Sequence, residues 1–474
     1  MSRSARCESS RVCYYPCRNP GAKRSFASQT LLCTVKPVSC TSFNTILRAA
    51  LVFGLVLSAS QVCISYSVLT HEEIVDLLWM DHLKPLLLKR FPDTTEDQLR
   101  EAHAYAYGGC VIQDMGYYPF GSKEFSNLVH YVRSGDFVMS LLRGAADVDE
   151  YAFALGALSH YVADNAGDPA VNRAVAEEYP KLSARYGDQV TYGEDPKAHI
   201  KTEFGFDLVQ VAKHRYAPEA YHDFIGFKVS KPLLERAFQE TYGLELKDVF
   251  VNPDLAIGTY RRSVSKVIPE MTRVALLSKR ADIVRETPNF SKKKFLYKLS
   301  RADFEKEWGR DYQKPGVGAR ILAFFFRLIP KVGPFKAIDF KVPTPETENL
   351  FIKSVDTTTD EYQKLLDGLR TAFAQLDNRD CDTGKRTRPG EYDLTDRAYA
   401  DLLDRLWSRK FDLLTPGLKD NILNFYVDLN ASFDTKKSPS RWQRSLQELD
   451  NLKAAATAQA PMFVPEKLRA RDSR

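Results

Sequence analysis

The sequence predicts an all-helical protein, and three observations carry that prediction. Apolar residues recur at three- and four-residue steps, strand-like alternation is scarce, and helix-starting residues stand just ahead of the apolar runs. In the first such run Ile74, Leu77 and Leu78 follow Thr70, a candidate N-cap, and Pro85 predicts a break. Residues 151–162 form a strongly apolar run of helix-compatible residues that carries His160. Asp195-Pro196 opens another helix, with proline at its first position, that carries His199 and Glu203 on to Ala212. Further helices are expected near 361–377, 393–408 and 441–456.

The length of 474 residues, with 44% hydrophobic and 12% aromatic content, is ample for a sizeable core and excludes disorder as the default. Four stretches are expected: a signal-containing segment over 1–65, a helical domain over 66–285, a second helical region of unknown role over 286–459 and a flexible tail over 460–474. Arg48 precedes an uncharged apolar stretch at 49–57, followed by Ser58, Ala59 and Ser60. This is the pattern of a secretory signal, and it is too short for a spanning helix, which needs about 20 apolar residues. The 47 residues ahead of Arg48 exceed an ordinary signal's charged region, which points to an overcalled start.

Of 67 basic and 61 acidic residues, eight basic and one acidic lie in 1–65, leaving 59 and 60 for the remainder. A near-neutral body exerts no general pull on nucleic acid, because such binding rests on neutralising many phosphates. Six of the eight cysteines also fall in 1–65, so Cys110 and Cys381 make no disulfide framework, and whether the two pair stays open. Residues 321–329 are apolar apart from Arg327 and lie between Arg320 and Lys331; they suit a buried core helix or a peripheral contact with a membrane interface. The run from Thr383 to Arg388 lacks the upstream glycine of a phosphate loop and is expected to be an exposed loop.

All eight histidines lie between His71 and His222, and the last 252 residues contain none. Two of them have a carboxylate four residues on, His160 with Asp164 and His199 with Glu203. On a helix each pair shares one face, where it can clamp an ion. One such pair is commonplace; the ordered set is more telling: His71, Asp114, His130, His160, Asp164, His199, Glu203. His82, His103, His214 and His222 have no acid four residues on and read as surface or core histidines.

From Tyr66 to Phe206 this order resembles the zinc-dependent phospholipase C family and the wider phospholipase C/P1 nuclease superfamily. The resemblance implies a helical core with two to three zinc ions. Asp114, His130, His160 and Asp164 would surround one; Asp164 would bridge to a second, held also by His71 and the amine and carbonyl of a mature N-terminal Tyr66. Cleavage after Ser65 would expose that amine, where the family usually has tryptophan; a competing cleavage would leave Gln61 first. The third ion would take His199, Glu203 and a histidine, but this chain has Asp168 beside Pro169 at that place. Asp168 is then a carboxylate ligand, or Gly167-Asp168-Pro169 simply makes a turn.

The chemistry implied is phosphodiester hydrolysis. Zinc lowers the pKa of a bound water to about 7 and neutralises substrate charge, with Asp114 as base beside that water. Tyr117, Tyr118, Pro119 and Phe120 would shape the substrate pocket or pack in the core. The leading expectation is a secreted or periplasmic phospholipase C, or a D-like enzyme, that releases phospholipid headgroups. A single-strand nuclease with the same metals and a non-catalytic zinc-stabilised surface-binding module are the alternatives.

Overall fold

The computed structural model describes residues 68–213, 216, 226–269, 271, 272, 275, 340–370 and 375–458. The expected signal and Tyr66, the apolar run 321–329, the tail from 460, and His214 and His222 lie outside the described residues. Among the described residues the architecture is helical throughout, apart from a pair of two-residue strands, as the apolar periodicity predicts.

Helix α1 (Val68–Leu78) runs through a π-helical turn at Trp79–Leu83 into α2 (Lys84–Arg90), so Pro85 sits in the first turn of a new helix. Thr70 is not the N-cap. It lies inside α1, and its hydroxyl donates to Asp207 Oδ1 at 2.6 Å while the Leu69 amide donates to Asp207 Oδ2 at 3.0 Å. Asp207 belongs to α8 (Pro196–Ala212), so the Leu69 amide in the first turn of α1 is satisfied across the fold. Elsewhere local caps serve, and the one at Asp195 is the helix start read from the sequence. Thr95 and Gln98 form a capping box at α3 (Glu96–Gly109), Ser122 caps α4 (Lys123–Tyr131), and Asp195 accepts two amides at α8.

After α5 (Ser134–Gly144) comes the central element, α6 (Val148–Glu178), buried on all sides between residues 151 and 164. A helix apolar all round needs walls on every side. Helix α3 supplies one, and α12 (Pro345–Leu369) another: the buried Tyr362 hydroxyl donates to Leu155 O at 2.8 Å, while Phe351 ties α12 to α8 by stacking on Phe206 at 4.5 Å. Short helices α7 (Pro180–Tyr186), α9 (Lys231–Tyr242), α10 (Leu246–Val249) and α11 (Pro253–Arg262) complete the first half.

The helices α13 (Asp393–Ser408), α14 (Pro416–Phe425) and α15 (Pro439–Ala454) follow α12; α13 and α15 lie close to the expected 393–408 and 441–456, whereas α12 starts well ahead of the expected 361 and α14 was not expected from the sequence. One hydrophobic core runs from Val68 to Leu452 and takes in helices of both halves. Cys110 and Cys381 are both buried and both free, which settles the pairing left open by the sequence.

The segment Gly167-Asp168-Pro169 is not a turn: α6 continues through it. Proline there removes the amide that would bond to the carbonyl four residues back, Asn165 O. The hairpin of β1 (Arg379–Asp380) and β2 (Lys385–Arg386) packs against that freed carbonyl. A Cβ on Gly384 would fall 2.3 Å from Asn165 O and 3.4 Å from Pro169 Cγ, and Gly384 has φ +67°. The run 383–388 is thus a docked hairpin: its Lys385 and Arg386 are exposed, while Asp380, Cys381 and Asp382 are buried.

Two outcomes follow from this packing. Gly384→Ala should destabilise the protein by ~2 kcal/mol or more, from the left-handed backbone and the overlap together, as read by urea unfolding. Glu178 ends α6 and accepts from Thr347 Oγ1 of α12 at 3.0 Å, and burial pushes its carboxyl up to about 7. A carboxyl raised in the folded state favours folding at low pH, and that contribution is lost as pH rises from about 4.5 through about 7. Glu178→Gln, neutral throughout, should match the parent near pH 4.5. It should exceed the parent's unfolding free energy by up to about 3 kcal/mol above pH 7.

Candidate metal centre

The residues singled out by the sequence converge. His71 comes from α1, Asp114 from a 3-10 turn at Gln113–Tyr117, His130 from α4, His160, Asp164 and Asp168 from α6, and His199 and Glu203 from α8; none is more than 2% exposed. They fall into three groups of potential metal donors: His71 with His160 and Asp164; Asp114 with His130 and His160; and Asp168 with His199 and Glu203.

Close helix packing sets the geometry of the first two groups. Helices α3 and α6 cross through reciprocal glycines: a Cβ on Gly109 would fall 2.0 Å from Phe153 O, and one on Gly156 would fall 2.0 Å from Ala106 O. This approach brings Cys110 O within 3.0 Å of His160 Nδ1, one helical turn beyond Gly156. His130 is held the same way, Nδ1 on Ser126 O at 2.7 Å. A carbonyl can only accept, so in both rings Nδ1 is the protonated nitrogen of the neutral form and Nε2 presents its lone pair inward. These two Nε2 atoms face each other at 3.3 Å. Two lone pairs at that separation call for positive charge between them or on one of them.

Asp164 uses its two oxygens differently. Oδ1 faces His71 Nε2 at 3.6 Å, and Oδ2 faces His130 Nε2 at 3.3 Å and His160 Nε2 at 3.0 Å. Its two oxygens thus face different histidines, as a carboxylate shared by two donor groups would. Asp114 Oδ1 lies 3.4 Å from His130 Nε2. In the third group His199 Nδ1 lies 3.2 Å from Glu203 Oε1, and the continuous helix through Pro169 carries Asp168 into place on α6.

The electrostatics say what is wanted here. Both carboxylate oxygens of Asp114, Asp164 and Glu203 are buried without a hydrogen bond, a costly state for charged groups unless a cation compensates them. Burial, followed by the repulsion of Asp114, Asp164, Asp207 and Asp382, drives the Glu203 carboxyl well above the usual range. Burial also raises Asp114, against the pull of His160 and His130. For Asp164, burial is outweighed by the His160, His130 and His71 rings, which hold its carboxyl well below the usual range. Burial works against protonating His130, yet Asp114 and Asp164 prevail and raise its pKa well above normal. The donor set of imidazole nitrogens and carboxylate oxygens is one that zinc accepts.

Aromatic residues stand beside the donors. Tyr117 is 6.1 Å from the His130 ring and 6.0 Å from Tyr192, which in turn meets His199 edge-on at 6.0 Å. Tyr118 is a core residue against Tyr260 at 5.1 Å, whereas Phe120 is 55% exposed with φ +63°. Among the unassigned histidines, His103 is buried on Trp79 and bonded to Asp76 at 2.9 Å, and His82 pairs with Asp367 at 3.5 Å. Both are structural, as expected.

Three neighbours of the centre were not legible in the sequence. Asn172 Oδ1 lies 3.0 Å from His199 Nε2. Asp382 in the hairpin accepts from the Tyr131 hydroxyl at 3.0 Å and from that of Tyr392. The Cys381 amide donates to His130 O at 3.2 Å. Tyr192 carried a weak signal, lying three residues ahead of the Asp195 cap; Asp382 carried none, being 210 residues from Asn172, the donor to its carbonyl.

Comparison with known proteins agrees with this geometry. No curated protein and no solved structure matches the chain. A family model does match, and with the three donor groups it supports a zinc-dependent hydrolytic enzyme of the phospholipase C/P1 nuclease type, extended by the helices α12 to α15. The family is the one that the order of histidines and carboxylates resembles: residues 70–251 match zinc dependent phospholipase C.

Proposed function

We propose that the protein is a secreted phosphoesterase that hydrolyses phospholipid headgroup esters at a centre of two to three zinc ions. The observation that carries this reading is the Asp164 carboxylate, buried, without a hydrogen bond, and facing different histidines with each oxygen. When bound, zinc supplies Lewis acidity that neutralises the phosphodiester and acidifies water.

The chain's own residues do the rest. The carbonyls of Cys110 and Ser126 orient His160 and His130, so their Nε2 atoms are fixed before any ligand arrives. Asp114, with both carboxylate oxygens unbonded, is ligand and base, accepting the proton of the attacking water. Asp168 joins His199 and Glu203 as the third group. Tyr117 and Tyr192 border the donors on one side and limit water there. Cleavage after Ser65 would leave the amine of Tyr66 five positions ahead of His71, where the family resemblance implies a ligand of the second ion. The balance of 59 basic and 60 acidic residues after position 65 favours a lipid over a polyanionic nucleic acid. No helix among the described residues is long and apolar enough to cross a membrane, and contact with lipid would be peripheral.

Metal analysis of the zinc-loaded protein should find at least two ions per chain. His160→Ala, which touches two donor groups, should lose more metal than Asp168→Ala, which should lose one ion; Asp168→His should keep it. Fewer than one ion in the parent would refute the zinc reading. On a panel of phosphatidylcholine vesicles, a soluble phosphodiester and single-stranded DNA, turnover should be greatest on the vesicles. Asp114→Asn should lower kcat by ~100-fold or more. Preferential cleavage of DNA would replace the lipase reading with the nuclease one.

A further inference from the structure

The third donor group depends on which nitrogen of His199 faces Asp168 and Glu203. Nδ1 points to Glu203 and makes no hydrogen bond among the described residues, whereas Nε2 meets the Asn172 side chain. An amide can present either its oxygen or its nitrogen, so the His199 contact alone leaves the tautomer open. The other end of the amide decides. Asn172 Nδ2 lies 2.8 Å from Asp382 O, a main-chain carbonyl that cannot donate. The amide nitrogen must therefore face Asp382, its oxygen must face His199, and His199 must carry its proton on Nε2.

We infer that Asn172, locked by the Asp382 carbonyl, is a positioning residue that holds His199 in the Nε2-protonated tautomer and so delivers the Nδ1 lone pair to a metal shared with Asp168 and Glu203. The hairpin between α12 and α13, outside the matched residues 70–251, is thereby a working part of the centre. The hairpin is itself held on all sides. The hydroxyls of Tyr131 and Tyr392 fix the Asp382 side chain, the Cys381 amide bonds to His130 O, and Ser134 Oγ donates to Arg379 O at 2.6 Å. Gly384 seats it on α6 at Asn165, seven residues before Asn172. One rigid hairpin thus touches the supports of two donor groups, His130 through its carbonyl and His199 through Asn172.

The metal part of this inference rests on the zinc reading above; the tautomer part does not. Nitrogen NMR on the full chain with labelled histidine, the His199 signal identified by its loss in His199→Ala, reads the tautomer in metal-free protein. The parent should show His199 protonated on Nε2 and bare on Nδ1. Asn172→Leu, similar in volume but with neither donor nor acceptor, should return His199 to a mixture of tautomers. It should also weaken the binding of zinc at one site about 10- to 100-fold, the other sites being retained. Asn172→Asp keeps an acceptor opposite Nε2 and should restore the tautomer and most of the affinity, which separates positioning from a general loss of packing. A parent His199 protonated on Nδ1, or an Asn172→Leu chain with unaltered tautomer and zinc affinity, overturns the inference. A parent that binds no zinc yet shows the Nε2-protonated form, lost in Asn172→Leu, upholds the positioning role and overturns the metal reading instead.

Discussion

Three carboxylates, Asp114, Asp164 and Glu203, are sealed in the interior with no hydrogen bond to any oxygen. Isolated buried carboxylates are among the costliest things a protein can contain. Everything around them serves to make that state tolerable: four imidazoles within the same volume, a central helix that carries two of the carboxyl donors and one of the imidazoles, and neighbouring helices close enough to fix ring orientation through main-chain carbonyls. The groups that a cation would bind are thus also the groups that make the apo fold electrostatically dissatisfied, so metal binding and folding stability are one linked quantity.

That linkage explains what could be read from the sequence. His160 with Asp164 and His199 with Glu203 were visible because donors four apart on a helix are local, and the helix start at Asp195-Pro196 because capping is local too. What stayed hidden was non-local. Thr70 resembles an N-cap, but a carboxylate from α8 satisfies the first turn of α1, and no pattern within a dozen residues announces it. The placement of Asp168 hinged on whether Pro169 ends a helix. It does not, because the carbonyl that proline frees is covered by a glycine 215 residues downstream of Pro169.

The helices beyond the matched segment are therefore more than an appendage. Helix α12 is one wall of the buried central helix, through Tyr362, and also meets α8 through Phe351, while the hairpin after it reaches the main chain of His130 and the side chain of Asn172. Orientation of the donors is thus divided between two distant parts of the sequence.

The docking of Gly384 on Asn165 has a consequence in time as well as in space. Contacts between residues so far apart in sequence carry a large loop-closure entropy and form late in folding, after local helices have nucleated. During synthesis the ribosome releases every histidine of the chain long before it releases residues 379–386. The zinc donors thus emerge first as loosely oriented side chains, and their final geometry waits for the hairpin. Emergence of the hairpin, not emergence of the ligands, becomes the event that converts a set of metal-capable residues into a defined centre.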